Sequence, residues 1–166
     1  MLTLGVDLSS QDAKTAICRV RWDGEVRSVV DVDVGIGDPR ILELSRTVDA
    51  TGIDAPLGLS AVGGTVDRVH GPYYEVYPGA ALVRWNVEAK GYKQDADVRE
   101  KVLDALGPLE MTLADRTLLI ASDHALDALL CALIAREAAT GRTHHPPPEL
   151  AGAAAREGWI HLPKPA

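Results

Sequence analysis

The sequence predicts an α/β protein whose sheet begins with three antiparallel strands. Residues 2–20 contain two apolar runs on either side of a short polar turn, which is typical of a strand, a turn and a returning strand. Residues 25–34 form a third run rich in β-branched residues, and the Trp-Asp-Gly before it favours a hairpin turn. Further along, short strands alternate with amphipathic helices, the strongest of which spans residues 121–140.

The remaining elements follow from helix caps and chain breakers. Helices are predicted from Asp38-Pro39 to about residue 48, at 80–85 and at 95–106, and short strands at 51–54 and 73–77. Residues 58–72, which carry four glycines and a proline, predict a loop. We divide the chain into a main domain, 1–142, and a tail, 143–166, which packs on that domain. The tail comprises a proline-rich connector, a short helix and an edge strand.

Composition restricts the class of protein. The chain has 166 residues and a net charge of −7, which argues against a tight nucleic-acid binder that works without metal ions, since no basic patch is evident. It does not exclude an enzyme whose acids hold divalent cations. No transmembrane run or signal segment is recognisable, so we expect a cytoplasmic protein with no membrane partner. Cys18 and Cys131 are expected to be buried thiols. The sequence leaves open whether the protein forms a homodimer.

Several acids end apolar segments. Asp7 closes the first strand, and Asp54 and Glu75 lie in comparable places on two later strands. Asp123 and Asp127 share one face of the long helix because they are four residues apart. Asp7 could simply cap its turn together with Ser9 and Ser10. Alternatively, carboxylates from separate elements can hold one or two Mg²⁺ or Mn²⁺ ions, which prefer oxygen ligands.

The order of short motifs resembles a family of predicted RNase H-like nucleases, domain of unknown function number 429. The resemblance covers nearly the whole chain, and its motifs are Gly-Val-Asp at 5–7, Gly-Ile-Asp-Ala-Pro-Leu-Gly at 52–58, Glu-Val-Tyr-Pro at 75–78, Gly-Tyr-Lys at 91–93, Asp-x-x-x-Asp-Ala-Leu at 123–129 and Glu-Gly-Trp-Ile-x-x-Pro at 157–163. It implies an RNase H-like fold, with a five-stranded mixed sheet whose first three strands are antiparallel and with helices on both faces.

The resemblance also implies a metal site and a nuclease activity. Matching the wider superfamily residue by residue places metal-binding acids at Asp7, Asp54 and Asp127. The helix that carries Asp127 is also similar to that of bacterial Holliday-junction resolvases, some of which have a histidine where this chain has His124. Asp123 competes with His124 for the fourth position. Glu75 belongs to a family motif without an assigned role.

Three functions are compatible with these observations. The leading one is metal-dependent hydrolysis of phosphodiester bonds in DNA or RNA, with Mg²⁺ or Mn²⁺ as cofactor. The second is a catalytically inactive RNase H-like scaffold or interaction protein. The third is ATP binding of the sugar kinase or chaperone ATPase type, in which Asp7 and the turn at residues 9–15 would face the phosphates; those proteins need two such domains, and this chain has room for one.

Overall fold

The core of the protein is a six-stranded mixed sheet with the strand order β3-β2-β1-β4-β5-β6. The structure is a computed structural model that describes residues 1–54 and 69–165. Strands β1, β2 and β3 are antiparallel neighbours, whereas β1, β4, β5 and β6 run parallel. The strands are β1 (Leu2–Asp7), β2 (Ala16–Asp23), β3 (Val26–Val34), β4 (Ala50–Asp54), β5 (Tyr73–Val76) and β6 (Ile160–His161).

The expected mixed sheet with three antiparallel strands first is confirmed, but the expected count of five strands is wrong. The additional strand is β6, which pairs Glu75 with Ile160 and Val76 with His161. The tail had been expected to supply an edge strand, and it does. The count of five came from the family resemblance. In this protein, β6 of the tail pairs with the outer edge of β5 and adds a sixth strand.

The described residues form six helices, and helices lie on both faces of the sheet. They are α1 (Asp38–Ser45), α2 (Pro78–Arg84), α3 (Ala96–Ala105), α4 (Leu113–Ala121), α5 (Asp123–Ala139) and α6 (Ala151–Glu157). Ile41 and Leu44 of α1 pack with Leu4, Val6 and Ile53 on one face. Residues of α3, α4 and α5 pack with alternate residues of β2 and β3 on the other face.

Helix α4 was missing from the predicted elements. Its start is marked by Thr112, whose hydroxyl accepts a hydrogen bond from the backbone amide of Asp115. This Thr-x-x-Asp pattern is a recognisable helix start. The predicted long helix at 121–140 is confirmed as α5, which begins at Asp123 after its cap Ser122, whereas Ala121 ends α4. The predicted cap of α3 by Asp95 is confirmed.

Helix α5 lies directly against the centre of the sheet because β1 and β4 each carry a glycine beneath it. A side chain at Gly5 would overlap the backbone carbonyl oxygen of Ala128, and one at Gly52 would overlap that of Cys131. The close approach buries almost all of α5, including both flanks of the helix. The position of α5 relative to β1 and β4 is therefore determined by backbone contact.

Both cysteines are buried free thiols, as expected. The predicted loop at 58–72 lies mostly outside the described residues. Within the described part of the chain, no single helix is long and apolar enough to cross a membrane, although α4 and α5, which are bent by 111° at their junction, reach that length and composition together.

Candidate metal centre

Three aspartates from three different elements meet at one end of the sheet. Asp7 ends β1, Asp54 ends β4 and Asp127 lies in the second turn of α5. One carboxylate oxygen from each lies within 4.8 Å of the other two. Asp127 is almost completely buried and Asp7 is about nine-tenths buried. The three principal acids expected from the sequence are therefore brought together by the fold.

The sheet register explains why these side chains share one face. Asp7 pairs with Asp54 in the parallel β1–β4 ladder, so both carboxylates leave the sheet at the same level. Each lies two residues after a glycine that contacts α5, and side chains two residues apart in a strand point to the same face. Asp127 precedes Ala128, whose carbonyl oxygen lies over Gly5, and this brings its carboxylate to the two strand ends.

The first turn of α5 adds His124 to the cluster. The hydroxyl of Ser122 accepts a hydrogen bond from the amide of Ala125 and so caps the helix. His124 Nδ1 then lies 2.6 Å from Asp7 Oδ2. In the tautomer that carries its proton on Nδ1, the imidazole donates to the carboxylate and fixes its orientation. The role of Ser122 is that of a helix cap.

Tyr92 and Lys93, which sequence reasoning did not assign to the site, contact its most buried acid. The Tyr92 hydroxyl donates a hydrogen bond of 2.8 Å to Asp127 Oδ1. The Lys93 ammonium lies 3.0 Å from Asp127 Oδ2, while about half of the lysine side chain stays exposed. The Gly-Tyr-Lys motif at 91–93 was the available signal, but its contact with α5 is 35 residues distant in sequence.

A buried arginine holds the segment that carries Tyr92 and Lys93. The Arg99 guanidinium donates hydrogen bonds to the carbonyl oxygen of Tyr92, at 2.7 Å, and to those of Ile120 and Ala121, at 2.6 and 3.2 Å. The last two carbonyls belong to the C-terminal turn of α4, where a cation is favoured. Arg99 therefore ties the loop to the junction from which α5 begins.

The pKa values of all three aspartates are raised, and burial is the largest cause for each. Burial, and then the charges of Asp127 and Asp7, raise the pKa of Asp54 from its ordinary value of 3.8 to about 6. Burial also raises the pKa of Asp7, which the hydrogen bond with His124 partly offsets. The pKa of Asp127 is raised by burial, although Lys93 and Tyr92 lower it in part. Such a cluster of perturbed acids is characteristic of functional sites.

The charge of Asp127 also shifts the pKa values of its two neighbours, Lys93 and Tyr92. Burial alone would lower the pKa of Lys93, but the charges of Asp127, Asp7 and Asp54 outweigh it and raise this pKa. Burial and the neighbouring Asp127 raise the pKa of Tyr92, so its hydroxyl stays protonated and continues to donate. Lys93 thus supplies positive charge to a site that has an excess of negative charge.

Asp123 and Glu75 lie outside the three-aspartate cluster within the described residues. Asp123 acts on Asp7 through its charge, which raises the pKa of Asp7. Glu75 alternates along β5 with Tyr74 and Val76, which pack beneath α5, so its side chain leaves the sheet on the α1 face. Its charge still contributes to raising the pKa of Asp54. Their assignment as site residues stays a prediction.

Comparison with models of known protein families assigns the chain to one family. The sequence model of the family described as "Protein of unknown function (DUF429)" matches residues 60–151, more than half of the chain. The chain belongs to this family, as its motifs predicted. The matched region includes Glu75, Tyr92, Lys93 and the part of α5 that carries His124 and Asp127. No curated protein and no solved structure matched the sequence.

Proposed function

We propose that this protein is an RNase H-like, metal-dependent nuclease that hydrolyses phosphodiester bonds of DNA or RNA. Asp7, Asp54 and Asp127 would hold one or two Mg²⁺ or Mn²⁺ ions. The observation that carries the proposal is the convergence of these three carboxylates, from β1, β4 and α5, to within 4.8 Å of one another. Acids that are distant in sequence meet at one point although the charges of Asp127 and Asp7 raise the pKa of Asp54.

The donor set suits such ions. Mg²⁺ takes about six oxygen ligands at about 2.0–2.1 Å, so adjacent oxygens on one ion lie about 3 Å apart and opposite ones about 4 Å apart. Small rotations of the three carboxylates would bring their oxygens from 4.8 Å to that spacing. A divalent cation would also neutralise the repulsion that raises the pKa of Asp54. Carboxylates can bridge two ions, so the same residues suit a two-metal arrangement.

The strand order supports the RNase H-like assignment. Three antiparallel strands followed by parallel β4 and β5, with helices on both faces, match what the family resemblance implied, and β6 is an addition at the edge. The acids lie at the ends of two adjacent parallel strands and on the helix that crosses them. Ligands in α/β sheets commonly bind at the carboxyl ends of strands.

Each residue of the site has a definite task in this proposal. When bound, the cations would activate water as the nucleophile and offset the charge that develops on the phosphodiester. His124 holds Asp7 in one orientation, and Tyr92 holds one oxygen of Asp127. Lys93, which reaches in from solvent to the other oxygen of Asp127, would leave it for a substrate phosphate when cations occupy the acids.

The ion pair between Lys93 and Asp127 also favours a second candidate function. A lysine that permanently neutralises the most buried acid would turn a metal site into a structural one, as expected for a catalytically inactive scaffold protein. The two functions differ in metal binding. The nuclease must bind Mn²⁺ at the three aspartates, whereas the scaffold protein would show no Mn²⁺ binding by calorimetry.

A nuclease assay tests the proposal directly. Branched DNA, RNA–DNA hybrids, single-stranded DNA and single-stranded RNA are incubated with the protein and Mn²⁺ or Mg²⁺. Wild type should cleave at least one substrate, and Asp7→Asn should not. Asp23→Asn is the matched control, since Asp23 is exposed at the other end of the sheet. Equal behaviour of wild type and Asp7→Asn on every substrate would contradict the proposal.

A further inference from the structure

A groove of about 260 Å³ lies beside the metal centre. Its lining includes Asp54 and Lys93, which both belong to the centre, together with Tyr77, Gly79, Tyr92 and Gln94. A molecule bound in this groove would therefore contact the three-aspartate cluster directly, through Asp54. We call this feature the Tyr77 groove.

The aromatic ring of Tyr77 lies at the surface of the protein and not in its core. Tyr77 precedes α2, and 54% of its surface is exposed. The ring lies along the backbone of Gly79, where an added Cβ would come within 3.6 Å of Tyr77 Cε2. The ring therefore lies against the start of α2 at ordinary van der Waals distance, and the rest of the ring faces the groove and solvent.

The groove also offers polar groups of the kind that contact nucleic acid. The Lys93 ammonium lies at its border with the metal centre and carries a positive charge suited to a phosphate. Gln94 is exposed and can both donate and accept hydrogen bonds at a base edge. Aromatic rings beside cationic groups are the usual means of binding single-stranded nucleic acid, because every base has a face that can stack.

The size of the groove restricts what it accepts. Pockets for drug-sized ligands occupy about 300–1,000 Å³, so a volume of 260 Å³ suits one nucleobase rather than a longer segment. A base inside a duplex has both faces covered by its neighbours. A ring that stacks on a base therefore selects a nucleotide that is unpaired or unstacked.

We propose that the Tyr77 groove binds one unpaired nucleotide beside the scissile phosphodiester, with its base stacked on Tyr77 and its phosphate against Lys93. The substrate class is then a single strand, or a branched molecule with unpaired bases, in preference to a continuous duplex. This inference rests on the proposed nuclease function, which supplies the scissile bond at the three aspartates.

Binding and cleavage are measured separately to test the groove. Binding of a short labelled single strand is followed by fluorescence anisotropy with Ca²⁺ in place of Mg²⁺, and cleavage is followed with Mn²⁺. Tyr77→Ala should weaken single-strand binding about five- to hundredfold, the range expected for loss of one base–aromatic stack. Tyr77→Phe keeps the ring and should recover most of the lost affinity. The blunt duplex of the same sequence should bind weakly to all variants.

Control measurements exclude a general loss of structure. Val83→Ala changes an exposed residue within α2, outside the groove, and should bind like wild type. Tyr77→Ala should keep the wild-type Mn²⁺ affinity and thermal unfolding temperature, since the three aspartates hold the metal without Tyr77.

The outcomes separate the groove from the nuclease proposal. Cleavage by wild type with unchanged single-strand binding by Tyr77→Ala would overturn the groove and leave the nuclease standing. Tyr77-dependent binding without any cleavage would support the groove as a binding site and overturn the nuclease. Preference for the blunt duplex over the single strand would overturn the assigned substrate class.

Discussion

Replacing Asp54 by asparagine should stabilise the metal-free protein at neutral pH. The raised pKa of Asp54 means that its ionised form is disfavoured in the folded state by burial and by the charges of Asp127 and Asp7. Asparagine removes that charge and keeps the shape of the side chain. Stabilisation upon neutralising a residue is expected when the residue serves binding rather than folding.

The size of the effect follows from the pKa of Asp54. A shift from 3.8 to about 6 corresponds to at most about 3 kcal/mol, at about 1.4 kcal/mol for each pH unit. The side chain is partly exposed to solvent, so we expect about 1–2 kcal/mol. For a protein of this length, that raises the unfolding temperature by roughly 3 to 6 °C.

The pH dependence of stability gives the sign of the effect. Because the pKa of Asp54 is higher in the folded than in the unfolded state, the folded protein binds more protons between about pH 4 and 6. The destabilisation by Asp54 therefore appears as pH rises through this range and is complete near pH 7. Asp54→Asn should gain stability over wild type at about pH 7 and little or none at about pH 4.

Urea denaturation in the presence of EDTA measures these differences, with Asp23→Asn as the exposed control, expected to remain within about 0.5 kcal/mol of wild type. Added Mn²⁺ should reverse the order, because wild type gains stability from the bound ion and Asp54→Asn loses most of that gain. A destabilised Asp54→Asn at pH 7, or the same gain at both pH values, would refute the reasoning.

The other predictions concern the contacts around the acids. Lys93→Met removes the cation that competes with metal at the cluster, so calorimetry should show about three- to tenfold tighter Mn²⁺ binding, and weaker binding would contradict the competition. Gly5→Ala would force α5 away from β1 at the carbonyl oxygen of Ala128 and should lose at least about 1–3 kcal/mol in urea denaturation, whereas Gly152→Ala in the exposed helix α6 should be neutral or slightly stabilising. His124→Gln removes the imidazole that orients the Asp7 carboxylate and should reduce Mn²⁺ affinity about ten- to hundredfold, as is usual for partners of metal-ligating carboxylates. An unchanged affinity would show that this imidazole has no part in the site.

The three acids that converge could be singled out in the sequence because each has a local signal. Asp7 and Asp54 each end an apolar run, and an acid at the end of a continuously buried strand is recognisable in the sequence. Asp127 follows from its place on the longest apolar helix and from the family motif. Their convergence needed only the parallel pairing of two strands beneath that helix.

The partners of Asp127 could not be predicted in the same way. Tyr92, Lys93 and Arg99 act through contacts between segments that are distant along the chain, and no periodic pattern encodes which carbonyl or carboxylate they reach. The functions of Gly5 and Gly52 likewise depend on where α5 crosses the sheet. Helix α4 had a local signal in its Thr112 cap, which was overlooked.

Helix α5 shows why a pattern of polarity predicts the presence of a helix better than it predicts where the helix begins and ends. Its apolar residues surround the helix almost completely, because the sheet covers one side and α2, α3 and α4 cover the others. A helix buried on all sides has no polar face to indicate its orientation. The cap at Ser122 provides that boundary, and it places His124 and Asp127 toward the strand ends.

Crystals of the protein grown with Mn²⁺ test the central claim most directly. Anomalous diffraction at the manganese edge should show one or two ions within about 2–2.5 Å of carboxylate oxygens of Asp7, Asp54 and Asp127, with the Lys93 ammonium displaced from Asp127. The same experiment on Asp127→Asn should show the peak lost or strongly reduced. A well-ordered cluster without manganese, with Lys93 still paired to Asp127 at saturating Mn²⁺, would contradict the account.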